Sequence, residues 1–219
     1  MTDTMRLLDG SQNSLALEQY RALRTNLEFL WVGRQLKTVV ITSSSPGAGK
    51  SLTVANLGIA FAMAGIQTLL IDGDLRRPAL HRLFQVDERP GLTTTIMRGL
   101  NPHDSTCTSF IPRLAILPAG PIPPNPTELL ANGRFEEVLS PLKDRFDMIL
   151  IDTPPVLAYA ETALLAHAAD GTLYIVRAGK GSRRMDVKAL ERLSQAQAHV
   201  LGAVLNDAQP QPSDMAYYG

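Results

Sequence analysis

The chain has a single cysteine, Cys107, so it cannot form an intrachain disulfide, and nothing points to an oxidising compartment. Cys107 lies in a polar stretch and is not read as a nucleophile. Neither sign of charge is in excess. Twenty-one basic residues balance 21 acidic ones, which gives no support for nucleic-acid binding or for non-specific adhesion to a membrane. Arg183, Arg184 and Lys188 form a candidate local basic patch. Long apolar runs are missing too. The N-terminal residues MTDTMRLLDGSQNS have no apolar stretch behind their charges, which argues against a signal peptide. The most apolar region, 54–71, is interrupted by Asn56, Gly58, Gly65 and Gln67, and reads as a buried helix followed by a strand rather than a membrane span. What is present suits one large domain: 219 residues, 45% hydrophobic, enough to bury a sizeable core. The expected chain is soluble and cytoplasmic, with any membrane attachment supplied by a partner.

The order of elements follows from periodicity. Leu17, Tyr20, Leu23, Leu27 and Leu30 recur at helical spacing and predict a helix over 16–31. The β-branched run 37–43 predicts a buried strand. After a Gly/Pro/Ser turn, an Ala- and Gly-rich helix is expected over 49–64, ended by Gly65. Further strands are expected at 68–71, 114–117, 146–151, 172–176 and 200–205. Helices are expected at 79–84, 127–131, 135–143, 160–167 and 182–196, and short helices with loops over 86–112. Strands alternating with helices imply an α/β fold, a mostly parallel twisted sheet with helices on both faces. The expected domain is 1–207, followed by a mobile tail at 208–219.

The segment SSSPGAGKS, residues 43–51, joins the first strand to the second helix. A loop without bulky side chains lets successive backbone N–H groups curl around a polyphosphate, and the helix beginning there adds its positive end. Ser45, Pro46, Gly47, Ala48, Gly49, Lys50, Ser51 and Leu52 are the candidate nucleotide-binding residues. Lys50 suits the β- and γ-phosphates, and the Ser51 hydroxyl suits Mg²⁺. The usual GxxxxGK[ST] pattern begins with glycine, where this chain has Ser44. Two later strands end in carboxylates: LLIDGDLRRP presents Asp72 and Asp74, and MILIDTPP presents Asp152. Ligands gather at the carboxyl ends of parallel strands, so these groups are expected to converge on one crevice. Asp74 and Asp152 are candidate magnesium ligands with Ser51. Asn206, ending LGAVLND, is either an adenine contact or a turn residue.

With LALEQYRALRTNL and LPAGPIPPNPTELL added to these motifs, the chain from about 15 to 207 resembles the bacterial tyrosine kinases, or BY-kinases. The resemblance implies a P-loop NTPase of the deviant-Walker, Min/Par-like type that takes ATP/ADP and Mg²⁺. It implies autophosphorylation in trans on tail tyrosines, here Tyr217 and Tyr218, and control of exopolysaccharide or capsule synthesis and export. By the same resemblance Lys50, Asp72, Asp74 and Asp152 are catalytic, with Asp72 the base toward the acceptor tyrosine. Glu18, Arg21 and Arg24 match the motif that joins subunits into a homo-oligomeric ring. A membrane-spanning activator and a tyrosine phosphatase are the implied partners, and no nucleic acid is. Where the family often has Glu, this chain has Ala48, and it keeps only Tyr217 and Tyr218 of a tyrosine-rich tail. No membrane-spanning activator segment is present, so a separate partner supplies it or the chain is a cytoplasmic fragment. The GPIPPNPTELL loop receives no chemical role at this stage. The alternative readings are a Min/Par-like positioning ATPase and an ATP-stabilised scaffold of an export machine. The first is disfavoured because Ser45 stands where such proteins carry an extra lysine.

Overall fold

The structure is a computed structural model that describes residues 7–8, 15–31 and 36–208. The strands are β1 (Thr38–Thr42), β2 (Thr68–Asp72), β3 (Cys107–Thr108), β4 (Leu114–Leu117), β5 (Met148–Asp152), β6 (Gly171–Arg177) and β7 (Val200–Asn206). They form one sheet in the order β3-β4-β2-β5-β1-β6-β7. Every neighbouring pair is parallel except β3 with β4. The central strands are apolar at successive positions because both faces of the sheet are covered. Along β1, Val39 and Ile41 join one core, and Val40 between them joins the other.

Helices α1 (Leu15–Trp31), α2 (Lys50–Met63) and α3 (Leu80–Phe84) cover one face. Their Leu27, Val54, Leu57, Phe61 and Phe84 pack with Val39, Ile41 and Leu150 of the sheet. Helices α4 (Leu92–Arg98), α5 (Pro126–Leu130), α6 (Arg134–Arg145), α7 (Glu161–Ala168) and α8 (Arg183–Gln195) cover the other face. There Leu92, Phe135, Leu165 and Leu193 pack with Val40, Ile71 and Ile151. Among the described residues, no helix is long and apolar enough to cross a membrane.

The expected α1 face is buried at Leu17 and Leu27, where α1 rests on α2, but Leu30 in the last turn is 40% exposed. Residues 86–112 hold α4, a 3₁₀ turn at Pro102–Ser105 and, beyond expectation, β3. A two-residue strand carries no periodic signal, and only its pairing of Cys107 with Ile116 makes it one. The lower edge of the sheet is tied by Asp170. Its Oδ2 accepts from the Thr38 N–H at 2.8 Å, the Lys37 N–H at 2.9 Å and the Thr38 hydroxyl at 2.8 Å. Its Oδ1 accepts from Lys143 Nζ at 2.9 Å. One carboxylate thus joins the starts of β1 and β6 to the end of α6.

Candidate active site

Because the sheet is parallel, β1, β2, β5, β6 and β7 all end at its upper edge. The β1–α2 loop, residues 43–49, sits at the middle of that edge. Gly49 has φ of 92°, and a side-chain carbon there would lie 2.0 Å from Asn206 Nδ2. Both facts demand glycine. Ser44 is buried, and its hydroxyl donates to Asp186 Oδ1 at 2.6 Å. A side chain at the position where the usual pattern has glycine therefore has an anchoring partner. Asp186 Oδ1 also accepts from the Tyr174 hydroxyl at 2.8 Å. Arg177 Nη1 donates to Gly47 O, and Asn206 Nδ2 to Ala48 O, both at 2.9 Å. Ser45 is half-buried, and Pro46 and Gly47 are exposed. Helix α2 begins at Lys50, which is 8% exposed, with Ser51 and Leu52 half-buried beside it. Burial pulls the Lys50 ammonium below its ordinary pKa, and the charges of Asp152 and Asp74 oppose that shift.

The carboxylates meet this loop from the β5 and β2 side. Asp152 closes β5 and pairs in register with Asp72 at the end of β2. The Gly73 N–H donates to Asp152 O at 2.8 Å, and a side-chain carbon at Gly73 would lie 2.7 Å from that oxygen. That close approach explains the glycine of the IDGD run. Thr153 Oγ1 donates to Ile41 O at 2.9 Å and Thr42 Oγ1 to Pro154 O at 3.1 Å, locking the IDTPP segment onto β1. Both Asp152 oxygens are buried without a hydrogen-bond partner. Burial pushes the Asp152 carboxyl up to about 7. The Ser51 hydroxyl and the Thr153 N–H, close by but short of full hydrogen-bond geometry, and the Lys50 charge restrain that rise.

Asp72 behaves differently. It is fully buried, and its Oδ2 accepts from the N–H groups of Ala79 at 2.8 Å and Leu80 at 2.9 Å. It therefore caps the start of α3, a role that Pro78 alone does not reveal. Burial and the neighbouring Asp152 charge push the Asp72 carboxyl well above the usual carboxylate range, against those two donors. Asp72 is thus enclosed at the start of α3, and among the described residues its Oδ1 is buried without a hydrogen-bond partner. Asp74 is half-buried, and its Oδ1 accepts from the N–H groups of Arg76 at 3.3 Å and Arg77 at 3.0 Å. Among the described residues, no three His, Cys, Asp or Glu side chains gather closely enough to hold a metal ion by themselves. The donor set of Asp152, Ser51 and Asp74 instead fits Mg²⁺ shared with phosphate oxygens, since that ion takes one or two carboxylates and keeps substrate and water as its other ligands. The two orphaned oxygens of Asp152 are the observation behind this fit.

The remaining expectations fall elsewhere. Glu18 and Arg21 pair with each other on the exposed side of α1. Arg24 turns inward: its Nη1 donates to Ala60 O at 3.3 Å and its Nε lies 3.3 Å from Glu28. Tyr217 and Tyr218 lie outside the described residues. Cys107 sits on β3, away from the loop, and burial pushes its thiol up. The GPIPPNPTELL segment acquires a structural role. Asn125 caps α5, and Thr127 Oγ1 donates to Glu161 Oε2 at 3.0 Å. Glu161 Oε1 accepts from Arg76 Nε at 2.6 Å, and Arg76 lies 4.3 Å from the centre of the Tyr159 ring. Arg76, Glu161, Arg177 and Asp186 went unrecognised in the sequence. The one available signal was Arg177 ending an apolar strand, as Asp152 does.

Known proteins share this sequence pattern and this fold. The AAA domain family AAA_31 matches residues 36–180. The tyrosine-protein kinase YwqD of Bacillus subtilis is 41% identical over 207 residues, covering 94% of this chain and 87% of YwqD. The crystal structure of the chimerical protein CapA2B2 superposes with a TM-score of 0.87 at 34% identity, over 93% of this chain and 90% of that one. The kinase domain of the Escherichia coli tyrosine kinase ETK gives 0.89 at 29% identity, over 97% and 84%. With the phosphate loop and its facing carboxylates in place, the chain belongs to the family of bacterial tyrosine-protein kinases.

Proposed function

We propose that this chain transfers the γ-phosphate of ATP to tyrosines of a neighbouring copy, Tyr217 and Tyr218, within a polysaccharide synthesis and export system. The observation that carries this reading is the meeting of Lys50, Ser51 and the unpartnered, buried Asp152 at the head of α2. A buried carboxylate without a hydrogen bond of full geometry is costly in a resting protein and makes sense where a cation and phosphates complete it.

In transfer, the bond from the γ-phosphorus to the bridging oxygen breaks, a bond to the phenol oxygen forms, and ADP leaves. Lys50 offsets charge on the β- and γ-phosphates, and the loop N–H groups hold them in place. Mg²⁺, held by Ser51, Asp152 and Asp74, supplies further neutralisation when bound. A phenol with pKa near 10 is protonated at neutral pH, so its proton must leave during transfer. Asp72 is the proposed acceptor, and in that role the start of α3, whose Ala79 and Leu80 N–H groups hold its Oδ2, must move to uncover it. Asn206 gives its amide nitrogen to Ala48 O and presents its carbonyl oxygen as an acceptor for the adenine amino group. Glu18 and Arg21, exposed on α1, are the proposed inter-subunit contacts of a ring, with Arg24 supporting α1 on α2. A membrane-spanning activator and an opposing tyrosine phosphatase complete the cycle.

The test is intact mass after incubation with Mg-ATP. Added phosphate that disappears in the Tyr217→Phe/Tyr218→Phe chain supports the proposal. Phosphate release without protein modification sinks it in favour of a positioning ATPase.

A further inference from the structure

A loop that aims its N–H groups at a polyphosphate must turn the carbonyls of the same peptides outward, where each needs a donor. Ser43 O takes the Val156 N–H at 3.0 Å and Ser45 O the Ser43 hydroxyl at 2.8 Å, but the donors at the middle of the loop come from one direction. Arg177 Nη1 reaches Gly47 O and Asn206 Nδ2 reaches Ala48 O, each at 2.9 Å. At the entry to the loop, Ser44 is held by Asp186, itself fixed by the Tyr174 hydroxyl. The Arg177 guanidinium is oriented in turn, because its Nε and Nη2 donate to Asp207 Oδ2 at 3.0 and 2.8 Å. These residues stand on β6, α8 and the end of β7. The carboxylates Asp72 and Asp152 lie across β1, on β2 and β5. The loop at Ser44, Gly47 and Ala48 is therefore gripped from the side opposite the proposed magnesium ligands.

We propose that Arg177 and Asp186 are positioning residues for phosphoryl transfer: they fix the phosphate loop from outside, without touching the nucleotide. The proposal rests on the loop being the nucleotide site. A rigid loop binds ATP in the ground state and the transition state alike, so loosening it raises KM and leaves kcat largely unchanged.

The experiment compares the full chain with Arg177→Ala, Arg177→Lys, Asp186→Ala and Arg113→Ala. Arg113 is the control, because its Nη1 also caps a turn carbonyl, Gly65 O at 2.9 Å, but beneath the sheet. Calorimetric ATP and ADP affinity, KM and kcat, thermal midpoint without nucleotide, and hydrogen exchange of the 47–50 amides are measured. Arg177→Ala and Asp186→Ala are expected to weaken ATP and ADP binding about tenfold and raise KM to match, with kcat within about threefold. Exchange at 47–50 should quicken without nucleotide. Arg177→Lys, which keeps one donor for Gly47 O, should recover part of the affinity. Arg113→Ala should lower the thermal midpoint and leave affinity and loop exchange alone. Unchanged loop exchange in Arg177→Ala overturns the proposal, as does a loss of affinity in Arg113→Ala equal to that in Arg177→Ala. A parent chain that binds no ATP sinks the nucleotide reading, and the exchange rates still decide whether the loop is gripped.

Discussion

Asp72 and Asp152 stand side by side at the ends of β2 and β5, in register and both buried, yet they are held differently. Oδ2 of Asp72 takes two backbone N–H groups from the start of α3, whereas Asp152 has the Ser51 hydroxyl and the Thr153 N–H nearby but, among the described residues, no hydrogen bond of full geometry. One carboxylate therefore serves the fold. The other is held ready for something the resting protein lacks.

Asp152→Asn should separate activity from stability. Phosphoryl transfer is expected to fall by at least about a hundredfold, since a group stabilising transferred charge is lost. The nucleotide-free chain is expected to melt at a higher temperature than its parent at neutral pH, because burial costs this carboxylate more than Lys50, Ser51 and Thr153 return, as its rise to about 7 shows, and the amide escapes that cost. Thermal unfolding beside the intact-mass assay checks both, and a lowered midpoint would contradict the argument.

Gly49→Ala places a side-chain carbon 2.0 Å from Asn206 Nδ2 in a left-handed backbone. Strain of about 1–3 kcal/mol is expected. Relief must displace Asn206 or the loop, so ATP affinity should drop more than about tenfold while the far-ultraviolet circular dichroism stays the same. Calorimetry showing parental affinity would refute this.

Asp170 links stability to acid. Burial raises its pKa, but the Lys143 ammonium, the Thr38 hydroxyl and the N–H groups of Thr38 and Lys37 outweigh burial and hold it below the ordinary carboxylate value. The folded state thus gives up this proton more readily than the unfolded chain. The stability it contributes is full above the unfolded pKa of about 3.9 and is lost as pH falls through the lower folded value. Asp170→Asn should cost about 2 kcal/mol in urea unfolding at pH 7, with the gap to the parent closing in acid. A gap that persists at the lowest pH where both chains fold would show the hydrogen bonds acting without the charge.

Arg76 covers Glu161, whose side chain is 1% exposed. Among the described residues, Arg76→Ala leaves that carboxylate the Thr127 hydroxyl alone, at an expected cost of about 3 kcal/mol. Adding Glu161→Gln should restore most of the loss, because the buried charge disappears with its partner. Denaturant unfolding of the single and double variants makes the check, and simple additivity would deny the coupling.

Much of this was legible because the information is local. An apolar run ending in Asp is a buried strand delivering a carboxylate whatever surrounds it, which is how Asp72 and Asp152 were found. Glycine and small residues between a β-branched run and an Ala-rich segment announce a strand, a tight loop and a helix, which is how 43–51 was found. Leu30 was misplaced because helical spacing says which residues share a face and not how far along the helix that face is covered. Arg177 and Asp186 were missed because each looks like an ordinary surface charge until β6 and α8 are set against the loop.

The sequence by itself determined the elements, the phosphate loop and the carboxylates at the strand ends, since each depends on residues a few positions apart. Only the tertiary structure decided that β5 lies between β1 and β2, that Asp72 and Asp152 are held differently, and that the loop is gripped by β6, α8 and β7. Those outcomes depend on which donor reaches which oxygen across the sheet, and strand order, which no local pattern encodes, sets that distance.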